Sequence, residues 1–250
     1  MGQIFGARTA KEHAAHLVPY VQSHHHILDV GCGLGSITAD LANLVPQGEV
    51  IGLDPNPKTT EAAKEAAAAK GIANITFVDG DAHDLARYES ASFDIVHAHQ
   101  VVQYFHTPVK ALTEMRRVLK PGGILALRTS NHLTLWPTDP TLEKEQAWFA
   151  EFVKARGGNV GAGWYLHTLV NQADFAWKEI RIGSACWEFS GPDGLAAWRA
   201  GTVGSARASL MGAGYGTAEE HDEIARAHVR MCERGDARVI GLDTTILARK

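Results

Sequence analysis

The chain has 250 residues, 45% hydrophobic and 21% charged, a composition typical of a folded globular protein. Its net charge is -4 at pH 7 with no long run of lysine or arginine, which argues against nucleic acid as a partner. The three cysteines are too few for a disulfide framework and favour a reducing compartment. No stretch approaches the roughly 20 apolar residues that span a bilayer, and the N-terminus lacks an apolar run of signal-peptide length. We therefore expect a cytoplasmic protein without a membrane segment.

The first half of the chain alternates two patterns of hydrophobic residues. Short apolar segments predict buried strands, and the segments between them carry apolar residues at helical spacing. Strands that alternate with helices of about 10 to 15 residues are typical of βαβ units, which build a parallel sheet. The predicted strands are 25–30, 49–54, 74–78, 93–98 and 124–129, and the predicted helices are 7–22, 36–45, 58–70 and 108–119.

The pattern changes after about residue 130. All six tryptophans lie between Trp136 and Trp198, and the helices there are less regularly interleaved with strands. A segment rich in glycine, alanine and serine, 201–216, is expected to form a mobile connection. The predicted helices are about 141–156, 163–173, 193–200 and 218–233, and two late strands are predicted at 176–186 and 238–248.

Together these elements predict a single α/β domain over residues 1–250. Its fold is expected to be Rossmann-like, with a seven-stranded, mostly parallel sheet and helices on both faces. A partly helical cap is expected from about 131–235, with the late sheet elements. The last strand, 239–248, is expected to pair antiparallel because the long approach from residue 218 can return as in a hairpin.

A glycine-rich turn, DVGCGLG at 29–35, follows the first predicted strand and precedes a predicted helix. Glycines at such a turn let the backbone approach a ligand closely, and the helix N-terminus favours anionic groups. A dinucleotide-binding fingerprint has the spacing GxGxxG, whereas the spacing here is GxGxG, with an acidic residue two positions before the first glycine. The turn therefore suits a ligand that presents an amino acid and a ribose instead of a pyrophosphate.

Four further elements follow in order. Asp54 ends the second predicted strand about 20 residues past the glycine turn, where a carboxylate can accept hydrogen bonds from both hydroxyls of a ribose. The tripeptide GDA at 80–82 comes just after the third predicted strand. The segment FDIVHAHQ at 93–100 contains the fourth predicted strand, and RVLKPGG at 117–123 precedes the fifth.

Taken in this order, the five elements resemble the class I S-adenosylmethionine-dependent methyltransferases, in particular the family similar to the ubiquinone and menaquinone biosynthesis methyltransferases. The resemblance covers about residues 8–130. It implies that S-adenosylmethionine is the cofactor, that 25–130 forms the cofactor-binding core and that about 131–235 forms a substrate-side cap. The later part of the chain departs from the family pattern, which leaves the methyl acceptor, the atom methylated and the oligomeric state open.

The resemblance also assigns residues to the cofactor. It places the glycine turn around the methionine portion, the acidic end of the second strand at the ribose and the GDA element at the adenine. The end of the fourth strand would face the sulfonium and the route by which the substrate enters. The implied cofactor-binding residues are Asp29, Gly31, Gly33, Asp54, Asp81, Ala82, His99 and Gln100.

The methyl acceptor is expected to be a small, fairly apolar metabolite, because the cap is aromatic and the net charge is small. It would bind over the carboxyl ends of the strands. His99 is the candidate general base if the acceptor must lose a proton, since imidazole titrates near neutrality, and it could equally serve only to orient the substrate. The candidate substrate residues are Arg128, Trp136, Trp164 and Tyr165.

Other functions stay open at the level of the sequence. A methyltransferase-like fold can bind the cofactor and catalyse a cyclisation or rearrangement, or merely bind a ligand. An NAD-dependent oxidoreductase is disfavoured by the missing sixth-position glycine and by the GDA element. His97, His99 and His106 could form a zinc site, but no cysteine pair or carboxylate cluster completes a ligand set nearby, so no metal is expected.

Overall fold

The computed structural model describes residues 8–250, and for residues 201–205 it describes the backbone only. The first seven residues of the predicted domain, with the first residue of the predicted helix 7–22, lie outside this description. The strands are β1 (His26–Val30), β2 (Glu49–Asp54), β3 (Ile75–Asp79), β4 (Phe93–His99), β5 (Leu119–Trp136), β6 (Ile180–Ser190) and β7 (Arg238–Arg249). The helices are α1 (Ala10–His13), α2 (Ser36–Leu44), α3 (Pro57–Ala69), α4 (Pro108–Val118), α5 (Pro140–Lys154), α6 (Leu166–Gln172), α7 (Gly191–Gly212) and α8 (Ala218–Cys232).

Within residues 8–250 the seven strands form one sheet in the order β3-β2-β1-β4-β5-β7-β6. Strands β1 to β5 pair in parallel, and β7 lies between β5 and β6, antiparallel to both. This arrangement confirms the predicted mostly parallel sheet with an antiparallel last strand. The strand order reverses between β1 and β4, and ligands of open α/β sheets bind in the crevice beyond the carboxyl ends of the strands at such a point.

Apolar side chains cover both faces of the parallel part of the sheet. One core includes Leu28 of β1 and Leu112 of α4, and the core on the opposite face includes Ile27 of β1 and Leu41 of α2. Successive strand residues point to opposite faces, so neighbours such as Ile27 and Leu28 are both buried only when helices cover both sides. The predicted helices on both faces are thereby confirmed.

Strands β5, β7 and β6 continue beyond the ends of the other strands. Strand β4 stops at His99, opposite Arg128, whereas β5 runs on to Trp136 and stays paired with β7 as far as Arg238. The predicted strand 124–129 was therefore too short. A separate apolar core covers this extension, and the cap around it borders the carboxyl ends of the parallel strands. Members of this core are Leu135, Leu142, Leu195, Trp198, Ile224 and Val239.

The predicted helix 7–22 is wrong over most of its length. Only Ala10–His13 forms an α-helix, and a 3-10 turn follows at Val18–Tyr20. Pro19 lacks the N–H of a helical residue and its ring crowds the carbonyl four residues earlier, which disfavours an α-helix through 15–19, but the helix has already ended at His13. The start of the short helix is held in place by the N–H of Ala10, which donates a hydrogen bond to the carboxylate of Asp40 at 2.8 Å.

The predicted mobile connection at 201–216 is wrong for most of its length, because helix α7 continues to Gly212. Leu195, Trp198 and Leu210 of this helix are all buried. Burial of apolar side chains near both ends stabilises the helix, and this tertiary packing outweighs the low helix propensity of its glycines.

Candidate active site

The glycine turn between β1 and α2 is shaped by residues with left-handed backbone conformations. Gly31 and Gly33 have φ of 70° and 55°, which glycine adopts without steric cost. A Cβ at Gly31 would collide with the side chain of Val101, whereas the corresponding direction at Gly33 faces open space. The backbone at Gly33 is therefore open to close approach by a ligand.

Asp54 ends β2 beside this turn. Its Oδ2 accepts a hydrogen bond from the Gly33 N–H at 3.1 Å, and its Oδ1 accepts from the Asn56 N–H at 3.0 Å. The side chain is half-buried, and each carboxylate oxygen can accept a further hydrogen bond. The structure thus brings Asp54 and the glycine turn together.

Asp29 lies beneath the glycine turn and is 3% exposed. Its Oδ2 accepts from the Thr38 hydroxyl at 2.7 Å, and its Oδ1 accepts from Nδ1 of His97 at 2.7 Å. Both carboxylate oxygens are therefore engaged within the protein. The structure places this side chain on the buried side of the turn and not on its open side.

Asp81 and Ala82 follow β3 at the same edge of the sheet. Ala82 is buried, whereas the side chain of Asp81 is 59% exposed. Oδ1 of Asp81 accepts from the backbone N–H of His83 at 2.9 Å and contacts Nδ1 of the same ring at 2.6 Å. Partial burial opposes ionisation, but the hydrogen bonds from His83 outweigh it and lower the pKa of Asp81. This carboxylate is therefore ionised, oriented and accessible.

Strand β4 ends at His99, and Gln100 follows it. His99 is 8% exposed, and burial, followed by the positive charge of Arg8, lowers its pKa well below the usual value for histidine. Gln100 has a φ of 57°, which is uncommon for a residue other than glycine, and its N–H donates to the carbonyl of Arg128 at 2.7 Å. Strained backbone of this kind is typical of functional positions.

Arg128 lies on β5 directly opposite His99 and is 5% exposed. Its Nε donates to Oδ2 of Asp243 on β7 at 2.8 Å, and its Nη1 donates to the carbonyl of Glu12 at 3.0 Å. Asp243 is fully buried and also accepts from Nε1 of Trp187 at 3.3 Å. Arg128 therefore joins the sheet to the N-terminal segment at the carboxyl edge of the strands.

Two parts of this group were not predicted from the sequence, the N-terminal segment and Asp243. Arg8 lies with Nη1 3.4 Å from Nδ1 of His99, and the rings of His13 and His99 meet edge to face with centroids 5.4 Å apart. No local pattern indicates that the N-terminal segment crosses this edge of the sheet. Asp243 was detectable, because an acidic residue inside the apolar strand VIGLDTTIL is a signal of a buried ion pair.

Two of the predicted substrate aromatics lie near this edge. Trp164 and Tyr165 end a 3-10 turn at Ala162–Tyr165 and are 60% and 37% exposed. Gly163 of this turn packs so closely on β5 that an added Cβ would lie 2.7 Å from the carbonyl oxygen of Thr129. The close packing fixes the turn that carries both aromatic residues against the middle of β5, near Thr129.

Trp136 occupies a different position. It is 58% exposed but lies eight residues past Arg128, about 26 Å away along an extended strand. It therefore sits at the far end of the cap and is not brought together with His99. It was assigned to the substrate site as an aromatic residue in a segment with no predicted role in the sheet, whereas β5 continues as far as Trp136.

The three histidines considered as zinc ligands also lie in different places. His97 is bonded to Asp29 beneath the glycine turn, whereas His106 stacks on His83 with ring centroids 4.0 Å apart. Among the residues that the structure describes, no group of three or more histidine, cysteine, aspartate or glutamate side chains is placed to hold a metal ion.

The family of the chain follows from comparison with known proteins. The model of the methyltransferase domain family matches residues 22–179, more than half of the sequence, so the chain belongs to this family.

Individual relatives agree with this assignment. The probable methyltransferase ltbC of Aspergillus luteorubrus is 37% identical over 156 residues, which cover 59% of this chain and 54% of that protein. A demethylmenaquinone methyltransferase of Staphylococcus aureus is 39% identical over 128 residues, 50% of each chain. The chain therefore spans about half the length of these curated relatives. Among solved structures, the YcgJ protein of Bacillus subtilis has a TM-score of 0.63 at 20% identity, over 94% of this chain and 97% of that one.

These findings confirm the methyltransferase domain predicted from the motifs, and half of the chain is similar to a demethylmenaquinone methyltransferase. Membership of the methyltransferase domain family disfavours an NAD-dependent oxidoreductase. The similarity to the solved structure comes with only 20% sequence identity, so it supports the Rossmann-like fold and says nothing about the activity. In residues 8–250, no helix combines the length and apolar character needed to cross a membrane.

Proposed function

We propose that this protein transfers the methyl group of S-adenosylmethionine to a small-molecule acceptor bound between the strand ends and the cap. The observation that carries the proposal is the glycine turn, where Gly33 is open to a ligand and its N–H is fixed 3.1 Å from the carboxylate of Asp54. This turn lies where the strand order reverses. The bound cofactor supplies a methyl group that the adjacent sulfonium makes electrophilic.

The residues along this edge can bind the successive parts of the cofactor, from its amino acid portion to its adenine. The open backbone of Gly33, in the turn that begins at Gly31, suits the amino acid portion, and the carboxylate of Asp54 suits the two ribose hydroxyls. The accessible carboxylate of Asp81 suits the exocyclic amine of adenine. Ala82 is small and buried, which leaves room for the ring beside Asp81.

Asp29 acts in this proposal as a positioning residue. Its two oxygens tie the start of α2, through Thr38, to β4, through His97. These bonds hold the glycine turn in its open conformation from beneath. The direct contact with the methionine portion that the family resemblance implies is replaced by this indirect role.

His99 orients the acceptor in this proposal and does not serve as a general base. A guanidinium only donates hydrogen bonds, so the neighbouring Arg8 makes Nδ1 of His99 an acceptor and leaves the ring proton on Nε2. A ring in this tautomer donates from Nε2 and cannot take up a proton there. Rate acceleration then comes from holding the acceptor in line with the S–CH₃ bond and excluding water, and orientation alone can supply roughly 7–11 kcal/mol.

The acceptor is expected to contact the cap side of the site. Trp164 and Tyr165 offer apolar surface with a polar handle beside β5 near Thr129, one residue past Arg128. We accordingly propose that residues 25–130 bind the cofactor and that 131–235 contribute the acceptor contacts. The sparse cysteines favour the cytoplasm as the location of this reaction.

Calorimetric titration tests the cofactor assignment. S-adenosylmethionine and S-adenosylhomocysteine are expected to bind to a single site, with no comparable heat from NAD. Tight binding of NAD, with no heat from either adenosyl compound, would overturn the proposed function.

A further inference from the structure

His83, two residues past the proposed adenine contact Asp81, is a buried histidine whose ring is held on two sides. Its side chain is only 8% exposed. The ring lies against that of His106 with centroids 4.0 Å apart, and it meets the ring of Phe105 edge to face at 5.2 Å. Both neighbours belong to the segment that follows β4. Because closely packed side chains keep one rotamer, the ring nitrogens of His83 have fixed positions.

One oxygen of Asp81 takes two hydrogen bonds from this histidine. Oδ1 of Asp81 accepts from the backbone N–H of His83 at 2.9 Å and lies 2.6 Å from Nδ1 of the ring. Partial burial alone would raise the pKa of Asp81, but these hydrogen bonds lower it below its usual value. An ionised carboxylate only accepts hydrogen bonds, so Nδ1 of His83 carries a proton and donates it to Oδ1.

The second oxygen of Asp81 is available to a ligand. Oδ2 accepts no hydrogen bond from the residues that the structure describes, and the side chain is 59% exposed. An exposed aspartate turns readily about its last side-chain torsion, whose energy profile is broad. Two donors at Oδ1 restrict that rotation in Asp81. The free oxygen therefore points in one direction and accepts only from a hydrogen-bond donor.

The imidazole of His83 has a single hydrogen-bond partner in the described part of the chain, the carboxylate of Asp81. Its Nε2 is buried and makes no hydrogen bond there. A buried polar atom without a partner costs free energy, and an apolar side chain of similar size would avoid that cost. The imidazole is therefore better explained by its hydrogen bond to Asp81 than by packing alone.

We propose that His83 is a positioning residue that holds Oδ2 of Asp81 toward the exocyclic amine of adenine and so makes the protein discriminate against cofactors with a 6-oxo purine. This inference rests on the proposed function, since it concerns how the same site recognises its cofactor. The amine of adenine donates to the free oxygen, whereas hypoxanthine has a carbonyl oxygen at that place and would set two acceptors against each other. A freely turning carboxylate can move away from that oxygen, but one held by His83 cannot.

Two ligands that differ only at this position of the purine measure the discrimination. The affinities of S-adenosylhomocysteine and S-inosylhomocysteine, in which an oxygen replaces the amine, are compared by calorimetry. The unmodified protein is expected to bind the adenosyl compound at least about tenfold more tightly, because only this compound donates a hydrogen bond to the carboxylate. His83→Leu keeps much of the bulk of the ring but lacks Nδ1, so the ratio of the two affinities should fall to about threefold or less.

Further variants separate the donor from the bulk of the ring. The amide nitrogen of asparagine lies near the position of Nδ1 in histidine, so His83→Asn can still donate to Asp81 and should keep more of the ratio than His83→Leu. His83→Ala removes the same donor and takes the place of the leucine variant if that protein does not fold. His167→Leu is the matched control, since the partly exposed His167 on α6 contacts Trp177 and makes no hydrogen bond among the described residues.

The affinity ratio distinguishes positioning from general support of the fold. A histidine with a purely structural role would weaken both ligands equally when replaced. A ratio that stays unchanged in the leucine and alanine variants, or that falls as far in His83→Asn as in His83→Leu, would overturn the positioning role alone. If the unmodified protein fails to bind S-adenosylhomocysteine, or binds both ligands equally, the result counts against the proposed function and its adenine contact.

Discussion

At the scale of single residues, the aspartates near the glycine turn have two different roles. One supports the turn from within the protein, and another is free to contact the cofactor. Asp29 is buried and fully bonded, whereas Asp81 is exposed with an ionised carboxylate. A sequence motif treats both as ligand contacts because it records which residues occur and not where their side chains point. Their different surroundings predict different effects of substitution.

Replacing Asp29 by Ala is expected to destabilise the fold. The change leaves the Thr38 hydroxyl and Nδ1–H of His97 buried without an acceptor, at a cost of roughly 1–3 kcal/mol for each unpaired group. Asp81→Ala removes a largely exposed carboxylate whose hydrogen bonds come only from His83 among the described residues, and it should cost less, about 0.5–1.5 kcal/mol. Urea unfolding followed by circular dichroism measures both, and equal stability of the two variants would contradict the supporting role of Asp29.

Replacing Asp54 by Ala is expected to weaken the binding of S-adenosylhomocysteine by about 1–3 kcal/mol, because the ribose hydroxyls lose their acceptor. Glu61→Ala on α3 removes the same charge from an exposed position that pairs with Lys64, and it serves as the control for long-range electrostatics. Calorimetry on folded protein decides the outcome. An affinity equal to that of the control variant would show that Asp54 does not hold the ribose.

At this scale, site residues could be predicted where they lie close together in the sequence and could not be predicted where they are far apart in it. Asp54 and the glycine turn were found because a local motif fixes their spacing. Arg8 and Asp243 join Arg128 and His99 only through long-range packing of the N-terminal segment and β7 on β5. No spacing in one sequence encodes those contacts.

At the scale of elements, the part of the chain from β1 to α4 was predicted closely. Buried apolar runs mark the strands, and end signals mark the helices, as where Pro57 starts α3 after the Asn56 side chain accepts from the N–H of Lys58. The extension of β5 and the length of α7 were not predicted, because packing in the cap and not local propensity stabilises them. Errors therefore concentrate in the cap and in the N-terminal segment, where the predicted helix 7–22 is mostly absent.

The 3-10 turn that carries Trp164 offers a test at this scale. Gly163→Ala adds a Cβ that would press on β5 at Thr129, and such overpacking is expected to cost about 1–3 kcal/mol of stability. Gly212→Ala, at the end of α7, meets no atom within 4 Å and should be neutral or slightly stabilising. Thermal unfolding of both variants measures the difference, and equal melting temperatures would show that Gly163 is not needed for close packing of this turn.

At the scale of the whole molecule, the cofactor is expected to contact the ends of the parallel strands and not the helices α5 and α8 of the cap. The glycine turn and the GDA element lie at the carboxyl ends of β1 and β3, whereas α5 and α8 cover the far extension of β5 and β7. Hydrogen exchange should therefore show that S-adenosylhomocysteine protects amides at 29–35 and 80–82 and leaves those of α5 and α8 nearly unchanged. Protection confined to α5 and α8 would place the cofactor in the cap and contradict this division.

The most direct test of the central claim is a crystal structure of the protein with S-adenosylhomocysteine bound. The account predicts the amino acid portion against the open backbone of Gly33, the ribose hydroxyls within hydrogen-bond distance of Asp54 and the adenine amine at Asp81. The sulfur should face the end of β4. A ligand bound elsewhere, or bound at this edge with its ribose turned away from Asp54, would contradict the account.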